Sequence, residues 1–257
     1  MLDACLSSLG AQKGAPSFEV IVGLDGGSEA ERDRLIAAHG AGLLGGLDVV
    51  AMPRLGYIPV RRALFERAGG AIGLSLNDDV VCAPDLLAEH DRLHRERGAE
   101  PSVVAGRASW KAVEGATLFD ALVQRSDLIF FDPAKRGAHP TYRDCYGLNM
   151  SAPVRAIADV GGVNGPAMGY GYDDVELAWR LVELAGARVV DGAGAWVEHD
   201  HRYTPECVMR REYLLGRTAW WQAGMNPGLA AALFGRSVRS AEELELARLY
   251  LGRQRRD

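Results

Sequence analysis

No signal-peptide pattern and no apolar run long enough to cross a bilayer is visible in this chain, so a secretory leader or a membrane span is not expected. Cysteine is scarce. Cys5, Cys82, Cys145 and Cys207 lie far apart with no C-x-x-C pair, and reduced thiols in a cytoplasm are the simplest reading. A basic excess is missing as well: 29 Lys and Arg face 34 Asp and Glu, for a net charge of -5, which argues against a general nucleic-acid binder. An anionic nucleotide ligand would then need local cations. The 31 glycines follow no collagen-like or low-complexity period, and no internal repeat is found.

What remains is a globular α/β pattern of 257 residues, long enough for one large domain. Residues 18–24 read as a buried strand, and Ser28 with Glu31 three positions later forms a capping-box pattern opening a helix to about His39. A second strand is expected over Leu47 to Met52, a helix over Pro59 to Ala68 and a third strand over residues 71–76. Further helices are expected from Pro84 to about Arg97, from Val154 to Val160, and from about Asp173 to Ala185, where Gly186 stops the last. Short strands fall at residues 102–105, 189–190 and 195–197. From Trp110 to Tyr146 the periodicity weakens, and residues 131–140 carry the Pro and Gly marks of a loop. Helices from about Pro205 to Ala223, and a last one capped by Ser240 and Glu243, close the chain. Alternation of this kind implies a mostly parallel, Rossmann-like sheet flanked by helices.

The most informative stretch is Leu74-Ser75-Leu76-Asn77-Asp78-Asp79-Val80-Val81, an apolar strand that ends in adjacent carboxylates with no cation beside them. In open α/β sheets the ligand crevice lies outside the carboxyl ends of the strands, and Mg²⁺ typically bridges one or two protein carboxylates to substrate phosphates. A metal-held nucleotide diphosphate is one reading of this turn, and an acidic cap for the helix near Pro84 is the other. Asp25-Gly26-Gly27-Ser28 ends the first strand with a carboxylate and a backbone that a ligand can approach closely, or else forms only a tight turn. Asp173 and Asp174 sit at the mouth of the amphipathic helix, where one can serve as a cap and another as a general base. Trp179 on that helix is read as packing. His199 and His201, two apart after an apolar strand, point to one side in extended conformation.

Taken in order, these pieces resemble the family 2 glycosyltransferases of GT-A fold. Val22-Gly23-Leu24-Asp25-Gly26-Gly27-Ser28 resembles the family's nucleobase-binding turn, and Val60-Arg61-Arg62 sits where Ala-Arg-Asn is usual. Leu76-Asn77-Asp78-Asp79 matches its D-x-D metal motif with Asn77 replacing the first Asp. Gly169-Tyr170-Gly171-Tyr172-Asp173-Asp174-Val175-Glu176-Leu177 resembles the segment ending in its Glu-Asp motif. The resemblance implies a GT-A domain over residues 1–204, with a nucleotide-binding part of about 1–106 and an acceptor part of about 107–204, then a helical extension over 205–257. By position it implies that Asp25 contacts the base and that Arg61, Asn77 and Asp78 belong to the donor site, Asn77 meeting the ribose. Asp79 and His199 would hold Mg²⁺ or Mn²⁺, and Asp174 would be the catalytic base. His201 has no clear counterpart. Tyr172 stands where a second Gly is usual and is expected to narrow the acceptor site.

The resemblance departs at the beginning, because the family's first strand and its Ile-Pro-Thr-Tyr-Asn-like turn are not in this sequence, which opens at the helix starting near Leu2. The implied function is an inverting glycosyltransferase that uses a nucleotide-sugar donor and an unidentified glycan, lipid-linked or small-molecule acceptor. A sugar-phosphate nucleotidyltransferase of the same fold is the alternative; the Gly-rich phosphate loop carrying Arg and Lys that it would show is not seen, but its place is the N-terminal stretch that this sequence does not include. A glycoside hydrolase would also use two carboxylates. A non-catalytic nucleotide-sugar-binding relic is the reading that Asn77 favours. Arg253, Arg255 and Arg256 are read in two ways, as complements to a helix C-terminus, the commoner role, and as a peripheral contact for anionic lipid.

Overall fold

The computed structural model describes residues 1–43, 45–126, 129, 139–235 and 238–254. The Pro- and Gly-marked loop at residues 131–138 and the terminal Arg255 and Arg256 lie outside these. Two helices frame the first strand, as α1 (Leu2–Gly10), β1 (Val20–Asp25) and α2 (Glu29–His39), followed by β2 (Leu47–Met52), α3 (Tyr57–Arg67) and β3 (Ile72–Leu76). Then come β4 (Val80–Cys82), α4 (Leu86–Arg97), β5 (Ser102–Trp110), α5 (Leu118–Arg125), β6 (Asn149–Pro153), α6 (Val154–Asp159), α7 (Asp173–Ala185) and β7 (Arg188–His199). The chain ends in α8 (Pro205–Met225), α9 (Pro227–Phe234) and α10 (Ala241–Gln254).

The α/β architecture is as the alternation implies, whereas the sheet composition is mixed. β1 and β2 form a two-stranded parallel sheet, and a five-stranded sheet has the order β3-β6-β5-β7-β4. In the larger sheet only β5 and β7 run parallel, while β6 is antiparallel to β3 and β5, and β4 is antiparallel to β7. Parallel pairing needs a crossover of a dozen or more residues. β3 and β4, joined by residues 77–79, lie at opposite edges of this sheet and do not pair with each other, and β6 enters from the poorly patterned stretch rather than from a helix. Residues 189–190 and 195–197 belong to one long strand, β7.

Helix α3 lies against both sheets. A Cβ on Gly23 of β1 would come within 2.4 Å of the Val60 side chain, and one on Gly73 of β3 within 2.7 Å of Phe65. The bare backbone at these two positions lets α3 approach each strand closely. Helix α7 has the predicted bounds, with Gly186 in the left-handed conformation (φ 66°) as its stop. Its buried residues Leu177, Ala178 and Leu181 pack with Val103, Ala105, Met150 and Ile157. Full burial of such aliphatic side chains is worth about 1.5–3 kcal/mol each, enough to fix the helix mouth that carries Asp173 and Asp174. Arg180 is buried beside Glu176 (Nη2–Oε2, 2.6 Å) and donates to the carbonyls of Val160 and Gly162, tying α7 to the end of α6.

Candidate active site

The acidic turn after β3 is positioned by the β4–β7 pairing. Val80 lies opposite His199 in the antiparallel register, and the Asp200 amide donates to the Asp79 carbonyl at 2.7 Å, which carries residues 199–201 past Asp79. Asp79 Oδ2 is 3.3 Å from His199 Nε2 and 3.2 Å from His201 Nδ1. The two imidazole rings stack with 9° between their planes and centroids 5.6 Å apart, as their spacing in an extended segment predicts. His201, which had no counterpart in the sequence resemblance, thus joins the cluster. Burial by itself would raise the Asp79 carboxyl pKa, but hydrogen bonds and charge from His199 and His201 outweigh it and hold the group below the usual carboxylate range. The other oxygen, Asp79 Oδ1, is buried with no hydrogen-bond partner. An orphaned carboxylate oxygen beside two imidazole nitrogens fits the donor set of a divalent cation, and this is the cluster of that kind found among the described residues.

Asp78 is exposed and Asn77 half-buried. Asn77 Oδ1 accepts from Arg61 Nη2 at 3.3 Å, and the same guanidinium pairs through Nη1 with Asp173 Oδ2 at 2.7 Å. Arg61 therefore joins the turn after β3 to the start of α7. Asp173 is 1% exposed and receives a second hydrogen bond, 2.7 Å from the Tyr57 hydroxyl, so it is an internal anchor and not an N-cap. The N-cap position of α7 is Tyr172, in the left-handed conformation at φ 64°. That backbone explains why glycine is the easier residue there. The Tyr172 ring meets Phe234 edge-on, with centroids 5.6 Å apart.

Asp174 is half-buried, and its oxygens accept from the amides of Gly147 (2.8 Å) and Val175 (2.8 Å). Its pKa is pushed up to about 6, first by burial and then by the neighbouring Asp173 charge, against the pull of Arg61 and the two amides. A carboxylate of that basicity is largely ionised at neutral pH and still able to take a proton. Asp25 is exposed at the end of β1, where its carboxylate accepts the amides of Leu55 (2.6 Å) and Gly56 (3.1 Å) in the loop before α3.

Tyr57 escaped the sequence reading. Its hydroxyl also accepts from the Gly171 amide at 2.6 Å, and burial followed by the Asp173 charge pushes its pKa far above the ordinary phenol value. Nothing in the periodicity of residues 57–67 signals this link across more than a hundred residues. Its companion Arg61 was legible only through the family resemblance.

No protein-family model and no curated protein sequence matches the chain. Solved structures do. The structure of S. aureus TarS 1–349 in complex with UDP-GlcNAc superposes with a TM-score of 0.57 at 16% identity, covering 85% of this chain and 61% of that one. The TarS 1–349 complex with UDP gives a TM-score of 0.55 at 15% identity, covering 94% and 69%, and S. aureus TarS gives 0.54 at 15%, covering 94% and 44%. The chain thus spans less than two thirds of the length of the first of these. At such identities the likeness concerns architecture, and the chain shares the α/β fold of these structures.

Proposed function

We propose that the protein is an inverting glycosyltransferase that moves a sugar from a nucleotide-diphosphate sugar to an acceptor hydroxyl. The observation that carries this reading is the Arg61 bridge, which fastens the Asn77–Asp79 turn to the helix mouth where Asp174 has a raised pKa. A donor-side turn with a cation-type ligand set and an acceptor-side base are thereby held as one unit. The fold shared with a structure holding UDP-GlcNAc supports the donor class. In this reading residues 1–106 carry the donor, residues 107–204 the acceptor, and 205–257 are an appended helical part.

The acceptor oxygen attacks the anomeric carbon from the face opposite the leaving group, so the new C–O bond forms as the bond to the diphosphate oxygen breaks. Asp174 takes the acceptor proton as its oxygen becomes nucleophilic. Asp79 and His199 would hold Mg²⁺ or Mn²⁺, which when bound neutralises charge on the departing diphosphate. Arg61 and Tyr57 fix Asp173 and keep the start of α7 in register with Asn77. Asp25 sets the loop before α3, with Asp25 and Asp78 on the base and donor side.

Thermal shift with UDP, GDP and dTDP and their sugars, with and without Mn²⁺, tests the donor assignment. Preferential binding to the folded state raises stability by about 2.7 kcal/mol at a hundredfold excess over Kd, a readily measured change. Stabilisation by one nucleotide series that strengthens with Mn²⁺ is expected. Failure of every nucleotide and nucleotide sugar to shift the transition, together with no sugar transfer, would falsify the proposal. Free sugar released from a glycoside without nucleotide would identify a hydrolase instead.

A further inference from the structure

We propose that Cys5 and Cys82 form an oxidation site, at which hydrogen peroxide converts two neighbouring thiols into a disulfide that joins α1 to β4. The proposed transfer chemistry uses neither sulfur, and the site stands or falls apart from it.

Helix α1 and strand β4 are distant in sequence and tightly joined in space. Ser8 Oγ donates to the Cys5 carbonyl at 2.7 Å and accepts the Cys82 amide at 3.0 Å, so the two cysteine backbones share one hydroxyl as a partner. Gln12 extends the seam: its Nε2 donates to the Ala83 carbonyl at 2.7 Å, and its Oε1 accepts the Leu87 amide at 3.0 Å. Cys5 and Cys82 are buried in one apolar cluster with Leu6, Val80 and Leu86. Within it the Cys5 thiol lies between two acceptors, the Asn77 carbonyl at 3.7 Å and the Cys82 sulfur. A disulfide requires backbones close together and Cβ atoms that converge. The shared hydroxyl supplies the first condition, and thiols in mutual contact supply the second.

The two sulfurs have different parts. The hydrogen bond from Cys5 pulls the Cys82 pKa below the ordinary thiol value against the effect of burial, while that bond and burial together push Cys5 up. The thiolate is the nucleophile, so Cys82 attacks first and Cys5 resolves. Cys82 also has a way in: with Val81, Pro84, Ser109, Trp196 and Glu198 it lines a cavity of about 410 Å³, ample for a molecule little larger than water. In the first step the Cys82 sulfur attacks the O–O bond of the peroxide and keeps one oxygen as a sulfenic acid, and the other oxygen leaves as water. In the second the Cys5 sulfur attacks the sulfenic sulfur; the S–S bond forms as the S–O bond breaks, and that oxygen leaves as water with the Cys5 proton. Two thiols are oxidised by two electrons in all, and one peroxide is reduced to two waters. The product no longer carries the S–H that the Asn77 carbonyl accepts, so the modification reaches the turn after β3.

The test uses the full chain, reduced and folded, treated with a small molar excess of hydrogen peroxide, then denatured, alkylated and mapped by mass spectrometry. Expected is a pair of peptides linked through Cys5 and Cys82 and released by dithiothreitol, with Cys145, whose thiol burial pushes well above the ordinary range, recovered as a free thiol. The oxidised chain should melt at a higher Tm than the reduced one, because the link closes a long loop in the unfolded ensemble. Cys5→Ser should leave a sulfenic acid at Cys82 that dimedone traps, and Cys82→Ser should leave Cys5 unlabelled; circular dichroism accompanies both. Recovery of Cys5 and Cys82 as free thiols from folded, peroxide-treated protein would overturn the proposal. So would a link that forms only after unfolding in urea, or dimedone labelling of Cys5 in a folded Cys82→Ser protein. A Cys5–Cys82 link in a protein that binds no nucleotide sugar would leave the site standing and sink the transferase reading, so the two failures are separable.

Discussion

His90 and His94 on α4 and His199 and His201 at the end of β7 are both imidazole pairs set among polar groups, but their companions differ in kind. In the first pair every ring nitrogen has a neutral partner. His90 Nδ1 lies 2.8 Å from Ser151 Oγ and its Nε2 2.9 Å from Asn149 Oδ1, while His94 Nδ1 lies 3.0 Å from Ser102 Oγ and its Nε2 2.8 Å from the same Ser151 Oγ. The Asn149 amide donates to the carbonyls of Arg107 and Ala195, so Asn149 Oδ1 faces His90. With both rings neutral, proton positions follow around the chain: Ser102 donates to His94, His94 to Ser151, Ser151 to His90 and His90 to Asn149. Nothing is left for a ligand. In the second pair both nitrogens converge on one oxygen of an anion whose other oxygen has no partner. A histidine pair is structural where its partners close the network, and a candidate ligand site where a charge is left incomplete.

The largest expected effect lies on the open side of this contrast. Asp174→Asn should keep fold and nucleotide-sugar binding while transfer falls by roughly 10² to 10⁴, the usual range for a lost general base. A role limited to accepting the Gly147 and Val175 amides predicts near-normal transfer, since Asn retains a carbonyl oxygen; that outcome at unchanged Tm would discard the assignment. With Asp174 ionising near pH 6, transfer should rise with pH through about 6 and level off above it. A rate flat from pH 5 to 8 would contradict a carboxylate base of that pKa.

Next in size is the cation site. Asp79→Ala should lower donor binding and turnover more than Asp78→Ala, because Asp79 holds the histidines and Asp78 is exposed. EDTA should reproduce the loss in the unmodified protein. Equal losses at Asp78 and Asp79 would point to a shared structural role for the turn, and indifference to EDTA would remove the metal from the proposal.

The closed network should respond in stability and not in metal binding. Ser151→Ala strips one partner from each of two buried imidazoles, at about 1–3 kcal/mol for each group left unsatisfied. Mn²⁺ affinity should be unchanged, and a loss there would blur the distinction between the pairs. The mildest effect is that of pH. Burial holds the pKa values of His90 and His94 down to about 4 against an ordinary 6.5, so the unfolded chain takes up their protons first. Their contribution is therefore complete above about pH 6.5 and is lost as pH falls toward about 4. A urea midpoint that does not fall between pH 6.5 and 5 would show that they are not held neutral.

The contrast also marks how far the sequence could be read. Strand β2 and helix α7 were legible to the residue because β2 is apolar at every position but Asp48, α7 keeps an amphipathic period, and glycine ends the helix. Ser28 caps α2 as expected, its hydroxyl accepting the Glu31 amide. Strand β6 was not read as a strand, because Asn149 and Ser151 are buried polar residues that serve the histidine network and break any apolar alternation. Helix α5 did carry a signal that went unread, the Thr117 and Asp120 capping box in the weakly patterned stretch. Within the site, the strand-end carboxylates and His199 followed from position, whereas the Tyr57–Asp173 and Arg61–Asn77 contacts are long-range and leave no local trace. His201 was visible in the sequence as half of a histidine pair of ligating type, alternatively a surface pair, and had no counterpart in the family resemblance; the β4–β7 register places it beside Asp79.

That register has a kinetic consequence. Strand β4 finds its partner only when residues 197–199 exist, and β5 gains its parallel neighbour only after residue 188. Such pairings close very long loops and slow folding through the entropy lost before any contact forms. During synthesis Asp79 emerges long before the histidines that face it. The Asp79–His199–His201 cluster is therefore assembled late, and a chain stopped short of β7 would hold the acidic turn without its imidazoles and leave β5 with β6 as its only neighbour in the described sheet.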